Sequence, residues 1–285
     1  MSKINFTKYA FIKPFLISMA AIITLSSCLS QATDSDKAQS FTFIQISDPQ
    51  LGFSDYEKDK ESFRQAIRQI NELNPDFVVI CGDLVNTAND QSFSDFKEIK
   101  GSFHMPCYYV PGNHDIGNKP TPESLQYYRK TLGEDYFMFE HKGTTFIFVN
   151  TQLWKEPVQG ESEKQDIWLK ERLKIASEKE QQVFIVGHYP LFCKEADEAD
   201  EYMNLPLEKR RELLNLFDQS NVVAVLNGHT HRLTLNNYNN IQMVGTETTS
   251  RNFDKRPLGF RMWSVEDKLP PKHEFVPLNV TREVR

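Results

Sequence analysis

Five short segments hold most of the side chains of this chain that can do chemistry: Ser47-Asp48-Pro49-Gln50, Gly82-Asp83-Leu84-Val85-Asn86, Gly112-Asn113-His114-Asp115, Gly187-His188-Tyr189-Pro190 and Gly228-His229-Thr230-His231. They pool carboxylates, side-chain amides and imidazoles, with no thiolate. That donor set suits Mn, Fe, Zn or a similar divalent ion better than a structural thiolate zinc site. His229 and His231 stand two apart, so an extended segment turns both toward one side. Glycines at 82, 112, 187 and 228 let the backbone turn sharply with no side chain in the way. Taken singly, each segment reads as an ordinary turn. In one order, and holding four of the chain's seven histidines, they read as one site.

Each segment directly follows an apolar run, and those runs must position it. Strands are predicted over Phe41–Ile46, Phe77–Cys81, Cys107–Val110, Val183–Val186 and Val222–Leu226, so the reactive groups gather at carboxyl ends of strands, where open α/β sheets collect ligands. Between them lie predicted helices. Lys60–Leu73 carries Phe63, Ile67, Ile70 and Leu73 on one face; Asp90–Lys100, Ser162–Ser177 and Pro206–Gln219 follow, and Pro122–Leu132 starts behind a Thr121 cap. Phe137–Glu140 and Thr144–Asn150 form a hairpin around His141-Lys142-Gly143. The tail turns β-rich, with strands over Leu233–Tyr238, Ile241–Thr246, Phe260–Val265 and Glu274–Pro277, the first two joined by a tight turn at Asn239-Asn240. This pattern fits an α/β chain of α+β character, with two packed sheets and helices outside, rather than one parallel sheet.

The motifs D-x-[HQ], G-D, G-N-H-D, G-H-x-P and G-H-T-H, in this order, resemble the calcineurin-like metallophosphoesterase superfamily. Within it the chain is similar to the subfamily of calcineurin-like phosphoesterase domain-containing protein 1, the complete S/T-protein phosphatase. The similarity rests on Asp48-Pro49-Gln50, the stretch Gly112 to Asn118 with Pro120-Thr121-Pro122-Glu123 after it, Asp135-Tyr136-Phe137, and His188 followed by Pro190-Leu191-Phe192 and an acidic run with Tyr202 and Asn204. The resemblance implies a four-layer fold, two mixed sheets flanked by helices, over residues 41–285. It implies two divalent metal ions: one held by Asp48, Gln50, Asp83 and His231, the other by Asp83, Asn113, His188 and His229. It implies hydrolysis of a phosphoester substrate by a hydroxide shared between the ions, with His114 as acid toward the leaving group. Most of the superfamily has His where Gln50 stands, and its protein-phosphatase branch has Asp where Asn86 stands. Asp115 is therefore expected to help orient His114.

A phosphomonoesterase is the leading expectation. A phosphodiesterase or pyrophosphatase acting on nucleotides or lipid headgroups is a close alternative, and a metal-binding envelope protein of low turnover is one from another class. Trp154, Tyr189 and Phe192 are candidates to wall the pocket, Trp154 partly in the core. Glu195, Asp197, Glu198, Asp200 and Glu201 read as a solvated loop, and Arg251, Lys255 and Arg256 as exposed cations, one of which could reach a substrate phosphate.

The body is that of an ordinary globular protein: 285 residues, 39% hydrophobic and 25% charged. Its N-terminus differs. Lys3, Lys8 and Lys13 precede an apolar run from Phe15 to Leu25 and then Leu25-Ser26-Ser27-Cys28. This pattern predicts a signal peptide over 1–27 and a bacterial lipoprotein tether over 28–40. Cys28 would carry the lipid that anchors the protein to the membrane of the cell envelope. Loss of the three lysines takes the formal net charge from −6 to −9, an unsuitable balance for neutralising nucleic-acid phosphates, and no nucleic-acid partner is expected. Three cysteines remain, with no C-x-x-C pair, which argues against a disulfide framework.

Overall fold

The computed structural model describes residues 40–279. The expected signal peptide and Cys28 lie outside the described residues. In chain order the elements are β1 (Ser40–Ile46), α1 (Tyr56–Leu73), β2 (Phe77–Ile80), α2 (Asp90–Lys100), β3 (Cys107–Tyr109), α3 (Asn113–Ile116), α4 (Pro122–Leu132), β4 (Phe137–His141), β5 (Thr144–Phe148), α5 (Gln152–Lys155), α6 (Glu161–Glu178), β6 (Gln182–Val186), α7 (Leu207–Asp218), β7 (Val222–Asn227), β8 (Thr234–Tyr238), β9 (Ile241–Gly245), β10 (Gly259–Glu266) and β11 (Lys272–Pro277).

Two mixed sheets result. One has the order β11-β10-β1-β2-β3, the other β4-β5-β6-β7-β9-β8. β1, β2 and β3 are parallel neighbours, as are β5, β6, β7 and β9. The β-rich tail divides between the sheets: β8 and β9 complete one, while β10 lies antiparallel to β1 in the other. The two-sheet expectation therefore holds.

Alternation along the strands decides the layering. Phe41, Phe43, Phe77, Val79, Phe146, Phe148, Phe184, Val186, Leu226 and Trp263 form one buried cluster with members from both sheets. Phe43 is its hub, stacked on Phe77 (5.2 Å, 6°) and Trp263 (5.7 Å, 5°) and edge-on to Phe146 (5.2 Å, 82°). Such pairs add about 0.5–1.5 kcal/mol each beyond their burial. Residues of opposite parity, including Ile44, Ile46, Val78 and Ile80, pack with Phe63, Ile67, Ile70, Phe93 and Phe96 of α1 and α2. On the other side, Ile147, Val183 and Ile185 pack with Leu169, Leu173, Leu213 and Phe217 of α6 and α7. Helices, sheet, sheet, helices is thus the order of the four layers.

α1 begins four residues earlier than its apolar spacing suggests. Asp55 caps it by accepting from the Lys58 amide at 3.1 Å, and the buried Asp59 gathers the amides of Gly52, Ser54 and Asp55. The hairpin closes as expected, with Lys142 (φ 44°) and Gly143 (φ 77°) in left-handed conformations between paired His141 and Thr144.

A buried polar cluster joins β10 and β11. Glu247 accepts from Arg261 (3.1 Å) and Arg256 (2.9 Å), and a second Arg261 nitrogen donates to His273 Nδ1 at 2.9 Å. His273 must be neutral to accept that bond. Burial and the Arg261 charge push its pKa down to about 4 from 6.5. Below pH 6.5 the unfolded chain takes up a proton that the folded chain resists, so stability falls as pH drops from about 6.5 toward about 4. Thermal denaturation at pH 7 and pH 5 is expected to show a larger loss of Tm for the native chain than for His273→Gln; equal losses would contradict this assignment.

Candidate metal centre

The segments after β1, β2, β3, β6 and β7 converge at the carboxyl ends of the parallel strands of both sheets. Asp83, following β2, is buried beside His188 and His229 from the other sheet. One ligand atom from each of the three lies within 4.8 Å of the others. Asp83 Oδ2 is 3.3 Å from His188 Nε2, and His188 Nε2 is 3.1 Å from Asn113 Oδ1 and 3.2 Å from His229 Nδ1. Beside them, His231 Nε2 lies 3.5 Å from Asp48 Oδ1, and the Gln50 amide donates to the Asp83 carbonyl at 2.9 Å.

Backbone carbonyls set the tautomer of every histidine in this group. His188 Nδ1 is 2.8 Å from the Cys81 oxygen, His231 Nδ1 is 2.7 Å from the Arg251 oxygen, and His229 Nε2 is 3.3 Å from the Tyr202 oxygen. A carbonyl can only accept, so each of these nitrogens carries the proton. The opposite ring nitrogens turn inward, as in metal sites whose imidazoles are oriented by an outer partner. The side-chain amides follow the same rule. Asn113 donates from Nδ2 to Asn118 Oδ1 (3.0 Å) and the Tyr202 hydroxyl (3.3 Å), which leaves Oδ1 toward His188. Gln50 donates from Nε2 to Asn86 Oδ1, and its Oε1 is buried without a hydrogen-bond partner.

These observations fit divalent cations. An orphaned buried amide oxygen needs a donor or a cation, and His188 Nε2 and His229 Nδ1 aim at one point. The charges agree. Burial opposes ionisation of Asp83, but the His188 charge and hydrogen bond overcome it and hold the carboxyl well below its ordinary range. His188 is pulled down by burial and up by Asp83, with the outcome raised to about 9. Burial and the His188 charge keep His229 well below 6.5. The same pull that raises His188 favours a cation among these groups.

The backbone is bent into an unusual shape to achieve this. Asp48 (φ 47°), Gln50 (φ 36°), Asp83 (φ 45°), His229 (φ 68°) and His231 (φ 51°) all occupy the left-handed region. Close approach is equally demanding at Gly112, where a Cβ would strike Asp83 Oδ1.

Behind Gly112, residues Asn113–Ile116 form a one-turn helix, α3, too short for periodicity to reveal. It sets the His114 amide 2.9 Å from Asp83 Oδ1. The half-buried His114 ring is not oriented by Asp115. Its Nδ1 donates to the Asn86 backbone oxygen at 2.8 Å, which leaves Nε2 as the working atom. Asp115 is buried and accepts from the amides of Leu84 (3.0 Å), Val85 (3.1 Å) and Gly112 (2.8 Å). It ties the Asp83 and His114 segments together and positions the reacting groups without facing them. Burial, then the Asp83 charge, raises its pKa to about 8.

Over residues 41–233 the sequence matches the calcineurin-like phosphoesterase family. The chain belongs to that family. Calcineurin-like phosphoesterases use a dinuclear divalent metal centre, and this metallophosphoesterase is accordingly a metal-dependent phosphoester hydrolase. It is similar to the serine/threonine-protein phosphatase CPPED1 of Homo sapiens, 34% identical over 248 residues, covering 78% of this chain and 79% of the relative. It is also similar to the 3',5'-cyclic adenosine monophosphate phosphodiesterase CpdA of Haemophilus influenzae, 28% identical over 218 residues, 74% of this chain and 77% of that one. Among solved structures, a dimetal phosphatase from Danio rerio superposes with a TM-score of 0.62 at 15% identity, covering 84% of this chain and 99% of that one.

Other residues of this phosphoesterase become visible only in the fold. Thr151 Oγ1 accepts from the amides of His188 and Tyr189, and Ser250 Oγ donates to the Asp48 carbonyl. The acidic run is not merely solvated. Glu198 accepts from the amides of Cys193, Lys194 and Glu195 and from Asn204 Nδ2, and Asp200 caps the amide of Leu207. The loop so built delivers Tyr202 to Asn113 and His229. Trp154, Tyr189 and Phe192 are all buried in the outer core, and Tyr189 meets the His229 ring at 3.9 Å. Arg256 is engaged with Glu247, while Arg251 is exposed above Phe253, whose ring stacks on His231 at 4.8 Å.

Proposed function

We propose that this phosphoesterase is a dinuclear-metal phosphomonoesterase of protein-phosphatase type, exported and lipid-anchored through Cys28. The observation that carries the catalytic part is His114, whose Nδ1 proton is committed to the Asn86 carbonyl while its backbone amide holds Asp83. In the imidazolium form Nε2 carries the second ring proton, and from there it would donate to a departing alkoxide. Asp48, Gln50, Asp83 and His231 would hold one ion, and Asp83, Asn113, His188 and His229 the other. When bound, the ions neutralise phosphoryl oxygens and acidify water. Asp83 joins the two groups and positions His114, Asp115 holds their segments together, and Tyr202 orients Asn113.

The protein-phosphatase relatives support the monoester reading, being more similar to this chain than the cyclic nucleotide phosphodiesterase. With Mn²⁺ present, kcat/KM is expected to be higher for p-nitrophenyl phosphate than for bis-p-nitrophenyl phosphate. A strong preference for the diester would replace this proposal with the phosphodiesterase one. The export and anchoring part is supported by the basic, apolar, Leu-Ser-Ser-Cys order of the first 28 residues. Cys28→Ala is expected to move the protein from the membrane to the soluble fraction on cell fractionation; continued membrane attachment would contradict it.

A further inference from the structure

We infer that Asn86 is the positioning residue that joins the two working parts of this site, its side chain fixing which face of Gln50 meets a metal ion and its backbone fixing the ring of His114. The inference rests on the dinuclear reading above and deepens it. Asn86 makes three bonds. Its amide donates to the Leu51 carbonyl at 3.0 Å, beside a bridge between Leu51 and Val85 that lays the Gln50 and Asn86 segments side by side. Its carbonyl accepts from His114 Nδ1 at 2.8 Å, and its Oδ1 accepts from Gln50 Nε2 at 3.4 Å.

The side-chain bond decides what Gln50 can do. A primary amide has a donor end and an acceptor end, and only the oxygen can ligate a cation. With Nε2 turned to Asn86, Oε1 is the atom left buried and without a partner. Rotation by 180° about the terminal bond would put an NH₂ group, which cannot ligate a cation, where that oxygen now lies. Nothing else among the described residues accepts from Gln50 Nε2, so Asn86 alone selects the productive face. Asn113 shows the same device, its NH₂ held by Asn118 and Tyr202 with Oδ1 turned inward. Gln50 from the first segment and Asn86 from the second are thus one hydrogen-bonded pair.

The two roles separate experimentally, because truncating the side chain spares the carbonyl. Isothermal titration with Mn²⁺ is expected to show two equivalents bound by the native protein. In Asn86→Ala one equivalent should weaken by about 10-fold to 100-fold, the range for loss of an outer partner of a ligand, with the other unchanged. Asn86→Asp keeps an acceptor and should bind both at least as tightly as the native chain. Gln50→Ala should weaken the same equivalent, and Gln50→Ala/Asn86→Ala should be no worse than Gln50→Ala alone. At saturating Mn²⁺ the pH profile of p-nitrophenyl phosphate hydrolysis by Asn86→Ala should follow the native one, because His114 keeps its carbonyl partner. Native affinity for both equivalents in Asn86→Ala, or additive losses in the double variant, would overturn the side-chain role. An altered pH profile in Asn86→Ala would overturn the division of labour. Failure of the native protein to bind a second Mn²⁺ would instead remove the dinuclear reading and this inference with it.

Discussion

Asp83→Asn is expected to lower kcat/KM for p-nitrophenyl phosphate by on the order of 10³-fold or more and to strip the centre of divalent ions. The substitution changes almost no volume, so its effect is one of charge. Asp83 is buried with one oxygen on the His114 amide and the other beside His188. Its charge is what outweighs burial at His188 and makes the cluster receptive to cations. An Asn has one oxygen: given to the His114 amide it turns an NH₂ toward His188, and given to His188 it sets an NH₂ against the His114 N–H. Loss of metal-centred charge stabilisation, worth several kcal/mol, corresponds to rate losses of that order. Elemental analysis after gel filtration, alongside kinetics, checks both halves. Activity within tenfold of native with a full metal complement would remove Asp83 from the centre of the mechanism.

His114→Ala is expected to have the opposite signature: kcat lowered about 10²-fold to 10⁴-fold, the usual contribution of a positioned acid, with metal content unchanged. His114 meets Asp83 through its backbone amide, which alanine retains, while the ring bonds only the Asn86 carbonyl. The loss should be larger for a phosphoserine peptide than for p-nitrophenyl phosphate, because a nitrophenolate departs without a proton and an alkoxide does not. Equal losses on both substrates would reassign the ring from leaving-group acid to stabiliser of phosphoryl charge. Loss of metal would show that the ring supports the centre after all.

Much of this was legible in the sequence because the signals were local. α2 and α4 begin and end where the residues say they should, since Asn89 and Thr121 cap them by side-chain bonds that residue type announces. The five segments are recognisable because each pairs a glycine or a strand end with a ligand-type residue. What escaped was non-local or carried by groups common to all residues. The division of the tail between sheets depends on β10 finding β1, more than two hundred residues earlier in the chain. The partner of His114 is a backbone carbonyl, which no residue type advertises, and this is why Asp115, adjacent in sequence and acidic, looked the better orienting group. Glu198 and Tyr202 escaped because a loop of mixed polar residues gives no sign of how densely it is hydrogen-bonded.

The left-handed backbone at Asp48, Gln50, Asp83, His229 and His231 has a consequence for anyone who evolves this protein in the laboratory. Each such residue costs roughly 1–3 kcal/mol relative to an unstrained one, and glycine relieves most of it. A library selected for heat tolerance alone is therefore rewarded for glycine at these five codons, where every gain deletes a ligand. Selection for catalysis holds the same codons in place. Heat-tolerant descendants that still turn over substrate must find their stabilising changes elsewhere, in the helical layers and the aromatic layer between the sheets.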